Sequence, residues 1–242
     1  MIPWSKLTDT SREAFHEYCR AWDYAQANDT AILEGDPQKD RVLEAVRLRK
    51  SDPERGFAKL LPLAKKGSAW GMLHVAWCYH HGRGVEVSRA AAEDWYRRAY
   101  EAGSQRAMLD YGRMLARRGD VDLRGAVYGA GADRNWAPAL YRLARLRLEG
   151  PRTQESFLDA LPLLEQAARL GSPAAQWALG YYMVRGRFGL LRIPRGFGVI
   201  GAFAFKALAE LQARAASGPA IALPLAPADR SMPSAARLSP AA

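Results

Sequence analysis

The sequence of 242 residues predicts an all-α protein: a right-handed α-solenoid of helix–turn–helix repeats that begins with an N-terminal helical cap. Two observations predict this fold. Four segments of the chain align with one another, and a second helix-forming segment lies before each of them. Self-similarity at a fixed period of about 20–50 residues is typical of proteins in which small helical units stack on their neighbours.

The four aligned segments are predicted helices, which we name the A helices. Their start points are separated by 36, 32 and 36 residues. Two alignment columns hold only glycine or alanine, as close approach of neighbouring helices requires, and apolar columns recur at spacings of three to four residues, which indicates one helix face. The A helices are predicted over residues 67–82, 103–119, 135–150 and 171–186, and the small columns are Gly71, Ala107, Ala139, Ala175 and Ala76, Gly112, Ala144, Gly180.

A second helix, which we name the B helix, is predicted before each A helix. Each B segment ends in glycine or asparagine, the residues that most readily adopt the left-handed conformation just after a helix. Ser88 and Asp120 stand where two B helices begin, and we expect their side chains to accept a hydrogen bond from a free backbone N–H. The B helices are predicted over residues 56–67, 88–103, 120–135 and 160–171.

The flanking segments differ from the repeats. One helix is predicted over residues 9–30, where Cys19 and Trp22 share an apolar face, and another over residues 36–50. An apolar closing helix is predicted over residues 197–214, and the prolines, alanines and serines that come after it predict disorder. The expected domains are an N-terminal helical cap over 1–55, the solenoid of about four repeats over 56–214 and an Ala/Pro-rich tail over 215–242.

The repeats share a recognisable residue pattern. The first copy has Ala69, Gly71, Val75, Ala76, Tyr79, Gly82, Gly84, Val85, Ala92, Trp95, Tyr96, Ala99 and Gly103, and the fourth keeps Ala175, Leu179, Gly180, Tyr182 and Gly186. These columns resemble the Sel1-like repeat family, a branch of the tetratricopeptide-like solenoids, over about residues 56–214. The resemblance implies a helical solenoid. Members of the family are mostly protein-interaction scaffolds and are often bacterial, so it also implies protein–protein interaction.

Charge is distributed unevenly along the chain. The net charge is +10, yet residues 1–55 hold 9 Lys/Arg against 11 Asp/Glu, so the positive excess lies in residues 56–242. After residue 66 the basic residues are all arginine except Lys206. This excess predicts a surface for anions, because the guanidinium group presents a planar fork of donors to carboxylates and phosphates. A GC-rich genome that encodes Arg in place of Lys is the alternative interpretation.

No catalytic, metal or cofactor site is predicted. Gly82-Arg83-Gly84 lacks the lysine and the strand of a phosphate-binding loop and is interpreted as a turn between two helices. His74, Cys78 and His81 have the spacing of metal ligands along one helix, but Cys78 occupies a packing column. No nucleophile–base arrangement occurs, and Cys19 is interpreted as core. The sequence therefore predicts a non-enzymatic protein without cofactors.

No targeting segment or membrane span is predicted either. The start of the chain lacks a basic patch followed by an apolar stretch, and the longest apolar run, over residues 196–205, is about half of the roughly 20 residues that a span requires. Two cysteines do not make a disulfide framework. These observations favour a cytoplasmic location.

Variable columns of the A helices predict a partner-binding surface. Trp70 and Trp77 are expected to face solvent, because the Trp77 column contains Arg113 and Arg145, which a packed column would not hold. In such solenoids the A helices line the concave side. The alternative interpretation is an ordinary solvated, arginine-rich surface. The predicted partner-binding residues are Trp70, His74, Trp77, Arg106, Arg113, Arg117, Arg142, Arg145, Tyr181 and Arg185.

These observations predict a non-catalytic adaptor that binds another protein, through an acidic or carboxylate-bearing segment held by arginines and aromatic anchors. One alternative is single-stranded nucleic-acid binding, favoured by the positive charge and by aromatic rings on which bases stack. Another is a regulatory subunit of an enzyme of envelope or polysaccharide assembly. The identity of the protein partner is not predicted.

Overall fold

The computed structural model describes residues 9–202, with side chains described from residue 13 onward. All regular structure in this range is helical. The predicted tail and most of the predicted closing helix lie outside the described residues. The helices are α1 (Asp9–Ala25), α2 (Asp29–Glu34), α3 (Lys39–Ser51), α4 (Pro53–Lys65), α5 (Ala69–His81), α6 (Arg89–Glu101), α7 (Gln105–Arg118), α8 (Val121–Ala132), α9 (Ala137–Arg147), α10 (Gln154–Arg169) and α11 (Pro173–Val184), followed by a 3-10 turn (Leu190–Arg192) and by a helical segment over residues 193–202.

Consecutive helices of the repeats pack against one another, as the sequence predicts. The A helices are α5, α7, α9 and α11, and the B helices are α4, α6, α8 and α10. Each A helix contacts the B helix before it, and α5, α7 and α9 also contact the B helix after it. The prediction of an all-α solenoid is confirmed. One B helix is longer than expected, because α10 begins six residues before residue 160, with Thr153 as its N-cap.

Each of the repeat helices except α9 begins at a side-chain cap. The predicted N-caps Ser88 and Asp120 accept hydrogen bonds from the backbone N–H groups of Ala91 and Leu123. A further set of caps repeats along the A helices, at Ser68, Ser104 and Ser172, each of which accepts from the backbone N–H three residues on. A cap of this kind stabilises a helix by about 1 kcal/mol. The third A helix lacks this serine.

The small columns allow helices to approach closely. A Cβ atom added at Gly112 of α7 would lie 2.3 Å from the hydroxyl oxygen of Tyr128 in α8. A glycine outside these columns has the same role, because a Cβ atom added at Gly56 of α4 would lie 2.3 Å from the Cα atom of Arg49 in α3. The alanines of the same columns, such as Ala76 and Ala144, are fully buried. Larger residues at these positions would force neighbouring helices apart.

The N-terminal segment departs from the expected helices. Residues 9–30 form two helices rather than one, because α1 ends at Ala25 and α2 begins at Asp29. The helix is interrupted where backbone polar groups bond to the repeats, because the carbonyl oxygen of Gln26 accepts a hydrogen bond from the Trp136 indole at 3.0 Å. The next helix begins at Lys39 rather than near residue 36.

Candidate functional site

The N-terminal helices α1 and α2 lie on the A helices. We name the surface of α5, α7, α9 and α11 that they contact the A-helix face. Near the start of α1, the ring of Phe15 lies 5.8 Å from the ring of Trp177 in α11, measured between centroids. Further along, Arg142 of α9 donates to the carboxylate of Asp23 at 2.6 Å. The segment therefore crosses the A helices in the reverse of their order in the chain.

The second half of this segment contacts the earlier repeats. The hydroxyl of Tyr24 donates to the carboxylate of Asp110 in α7 at 2.9 Å, and Arg113 donates to both of these groups. The side chain of Asn28 accepts from the backbone N–H of Gln105 at 3.0 Å and donates to a neighbouring carbonyl. These contacts fix the turn between α1 and α2 at the N-terminus of α7.

Two aspartates of the segment are buried against arginines. Asp23 is 1% exposed and bonds to Arg142, and Asp29 lies 3.6 Å from a guanidinium nitrogen of Arg106. Burial raises the pKa of Asp23 and of Asp29, and the facing arginines offset only part of this rise. A buried carboxylate needs a charged partner, since its ionised form is unfavourable in an apolar environment. The arginines of the A-helix face thus hold carboxylates of the same chain.

The expectation that Trp70 and Trp77 face solvent is wrong. Trp70 is buried, and Trp77 is half-buried, because α2 and α3 cover the first A helix. The guanidinium of Arg49 in α3 lies 4.1 Å from the centre of the Trp77 ring, a cation–π contact. His74 is also buried, with its ring 4.7 Å from that of Trp70. In the first repeat, the arginine that lies against an aromatic ring therefore belongs to the same chain and makes an intramolecular contact.

Three of the predicted partner-binding residues remain exposed. Arg117, Arg145 and Arg185 are exposed, and Tyr181 is half-buried. The Arg185 guanidinium lies 4.7 Å from the centre of the Tyr181 ring. Arg145 is close enough to α1 to help lower the pKa of His16, second to the effect of burial. The other six, Trp70, His74, Trp77, Arg106, Arg113 and Arg142, are buried or half-buried where the chain itself covers the repeats.

Sequence reasoning missed the residues that face these arginines. They belong to the unrepeated N-terminal segment and are Asp23, Tyr24 and Asp29. Sequence reasoning also missed the further contacts that Gln26, Asn28 and Arg49 of this segment make with the repeats. One signal could have found them, since residues 1–55 carry more acidic than basic side chains, whereas the repeats carry the opposite excess. Opposite charge on two parts of one chain favours contact between them.

Burial keeps both cysteines and His74 in their uncharged forms at neutral pH. Burial raises the pKa of the Cys19 thiol to about 12 and that of Cys78 to about 11, so both are protonated at neutral pH. Burial and the charges of Arg49 and Arg106 hold the pKa of His74 well below its usual range. Within residues 9–202, no group of three or more His, Cys, Asp or Glu side chains is placed to hold a metal ion.

The described part of the chain contains no helix that combines the length and the apolar character needed to cross a membrane.

A family model and solved structures match this chain. The model of the Sel1 repeat matches residues 71–104, 137–172 and 173–194 and leaves out most of the second copy, α7 with α8. No curated protein matches the chain in sequence. The chain resembles the crystal structure of c5321, a protective antigen present in uropathogenic Escherichia coli strains and displaying an SLR fold, with 22% identity and a TM-score of 0.60 over 74% of this chain and 40% of that one.

A second solved structure gives the same result. The chain resembles a Sel1 repeat protein from Oxalobacter formigenes with 19% identity and a TM-score of 0.58, over 68% of this chain and 69% of that one. The chain spans less than half the length of the Escherichia coli protein. Both similarities concern the fold. The resemblance that the repeat columns predict is confirmed, and the chain carries Sel1 repeats in a helical solenoid of the kind found in Sel1-repeat proteins.

Proposed function

We propose that this chain is a non-catalytic adaptor of the cytoplasm that binds an acidic segment of another protein on its A-helix face. Sel1-repeat proteins generally mediate protein–protein interaction, and the repeat is typically a non-catalytic scaffold. One observation supports an acidic segment as the ligand: three arginines of the A-helix face already contact an acidic helical segment of the same chain. The pairs are Arg142 with Asp23, Arg106 with Asp29 and Arg113 with Tyr24. A surface that holds such a segment within the chain has the chemistry to hold one from a partner.

The accessible arginines give a partner its first contacts. Arg145 is exposed on α9 and Arg185 is exposed directly after α11, where it lies against the half-buried ring of Tyr181. Exposed charges accelerate association and contribute less to the lifetime of a complex. We therefore expect partner binding to depend on ionic strength, with the aromatic rings contributing affinity that salt does not weaken.

A comparison of two arginines on one helix tests this function. A partner captured by the purified full chain is identified, and its dissociation constant is measured for the wild type, for Arg145→Glu with Arg185→Glu, and for Arg147→Glu. Arg147 is exposed on the same helix as Arg145, but two positions further on and hence near the opposite side. We expect the double variant to weaken binding about tenfold or more, equivalent to about 1.4 kcal/mol, and Arg147→Glu to leave it unchanged. Equal binding by all three chains would contradict the proposal.

Single-stranded nucleic acid is the second candidate ligand. The stacking of Arg185 on Tyr181 favours it, because bases stack on such planes, and the positive charge of the repeats would follow a phosphate backbone. Acidic side chains such as Asp110 and Glu149 also occupy the variable columns of the A helices, and their charge would repel a phosphate backbone. A labelled oligothymidylate added to the same chain separates the two ligands. Binding that survives physiological salt and is lost in the Arg145/Arg185 double variant would favour nucleic acid.

A further inference from the structure

We propose that the segment over residues 13–34 is a resident occupant of the A-helix face, and that a partner must displace it with a helical segment of matching chemistry. The matching segment carries an aspartate followed directly by a tyrosine at the end of one helix, and a second aspartate, six positions after the first, at the start of the next helix, as at Asp23, Tyr24 and Asp29. This inference rests on the proposed function, because it specifies the partner segment and the regulation of the same surface.

The segment is placed as a ligand would be. It contacts α11 through Phe15, α9 through Asp23, α7 through Tyr24 and Asp29, and α5 through α2. The segment is not one of the repeat helices, and the chain connects it to the rest of the described structure through the short link between α2 and α3. The same arginines that hold it would be the ones that hold a partner. Occupancy by the segment and by a partner would therefore exclude each other.

The fit of the resident segment is incomplete. Among the described residues, both carboxylate oxygens of Asp29 and one of Asp23 lack a hydrogen-bond partner, as does the Nε atom of Arg106. The 3.6 Å between Arg106 and Asp29 is longer than a hydrogen bond. Buried polar atoms that lack partners weaken an association. A partner segment whose carboxylates lie within hydrogen-bond distance of Arg106 and Arg142 would bind the A-helix face more strongly than the resident segment does with the same number of contacts.

The covalent link is what gives the resident segment its advantage. A segment joined by a short linker acts at an effective concentration of about millimolar. A free helix at micromolar concentration therefore competes poorly with it, even with equal contacts. Loosening the resident segment removes this barrier, so the affinity for an added helix should rise. The expected rise is at least tenfold.

A labelled peptide of residues 13–34, with Cys19→Ser to prevent oxidation, is the probe. Its dissociation constant is measured by fluorescence anisotropy with the full chain, with a loosened chain carrying Phe15→Ala and Tyr24→Ala, and with Glu17→Ala as the matched control. Glu17 lies on the same helix but is exposed. We expect the loosened chain to bind at least tenfold more tightly than the wild type and the control chain to match the wild type. Adding Arg142→Ala to the loosened chain should remove most of the gain.

A second measurement needs no variant. The ¹⁵N-labelled full chain is mixed with excess unlabelled peptide, and amide hydrogen exchange is followed in α1. Displacement predicts faster exchange in α1 and unchanged exchange in α7. Equal peptide affinity for the wild-type and loosened chains, or unchanged exchange in α1 at saturation, would overturn the inference. If a captured partner still depends on Arg145 and Arg185 in that case, the proposed function stands; if it does not, both fail.

Discussion

Asp23 of α1 accepts a hydrogen bond of 2.6 Å from Arg142 of α9, although 119 positions separate the two residues. The aspartate is almost fully buried, and the arginine is the group that offsets its charge. A carboxylate placed in this environment without the guanidinium would be strongly destabilising. The pair therefore fixes where the unrepeated N-terminal helix meets the solenoid.

A double-mutant cycle tests this pair. We expect Asp23→Ala and Arg142→Ala each to lower the free energy of opening of α1, measured by amide hydrogen exchange, because each leaves the other charge uncompensated. The double variant should lose less than the sum of the two, by about 0.5–3 kcal/mol.

The control for that cycle replaces Arg142 with a neighbour on the same helix. Arg147 is exposed and lies on a different side of α9 from Arg142, so Asp23→Ala and Arg147→Ala should add within about 0.5 kcal/mol. Additive effects of Asp23→Ala and Arg142→Ala would show that the two side chains do not interact in solution.

The small columns of the repeats give a second prediction. Gly112→Ala should lower the urea midpoint by the equivalent of about 1–3 kcal/mol, because the added Cβ would lie 2.3 Å from the Tyr128 hydroxyl oxygen. Gly129→Ala, in α8, is the control: no atom lies within 4 Å of the added Cβ, and alanine favours a helix by about 0.5–1 kcal/mol over glycine. A Gly112→Ala variant as stable as Gly129→Ala would refute the close approach of α7 and α8.

His74 gives the chain a predictable dependence on pH. Burial, with the charges of Arg49 and Arg106, lowers its folded-state pKa well below the ordinary value of about 6.5. Below about pH 6.5 the unfolded chain binds a proton that the folded chain does not, so stability falls as the pH falls, by up to about 1.4 kcal/mol per pH unit for this group. We expect His74→Gln to have a shallower loss of stability between about pH 7 and pH 5.

The comparison between variants isolates His74 from the other groups that titrate. Asp23 and Asp29 have raised pKa values and act in the opposite direction, and His16 has a lowered one and acts in the same direction. Because the His74→Gln chain keeps these groups, the difference in slope belongs to His74. His16→Gln, at an exposed position, should change the slope less. Equal slopes for the wild type and His74→Gln would mean that His74 is accessible to water.

Local sequence patterns predicted the fold because a repeat encodes its packing several times. The column of Ala76, Gly112, Ala144 and Gly180 holds a small residue in each copy. Because the small residue recurs in four copies, the column indicates a position where neighbouring helices approach closely. Ser88 and Asp120 were predictable caps because a cap depends only on residues three positions away. The domain division and the partner-binding role of the ten residues stay predictions.

Local sequence patterns did not predict that the N-terminal helices cover the A-helix face. Arginines at Arg106, Arg113 and Arg142 look like solvent-facing residues in an alignment, since their partners lie some 75 to 120 positions away in a segment that does not repeat. Each contact occurs once, so no column repeats it. The sequence signal for these contacts is the acidic excess of residues 1–55, which is opposite to the basic excess of the repeats.

Photo-crosslinking from α1 tests the central claim, the occupancy of the A-helix face by α1, most directly. The residue at Phe15, whose ring lies 5.8 Å from that of Trp177, is replaced with p-benzoylphenylalanine in the full chain, and the exposed Glu17 position serves as the control. After irradiation and trypsin digestion of the monomer, position 15 should yield an adduct with the tryptic peptide of residues 170–185, which contains α11, and position 17 should not. Absence of that adduct from position 15, or the same adduct from both positions, would contradict a resident helix on the A-helix face.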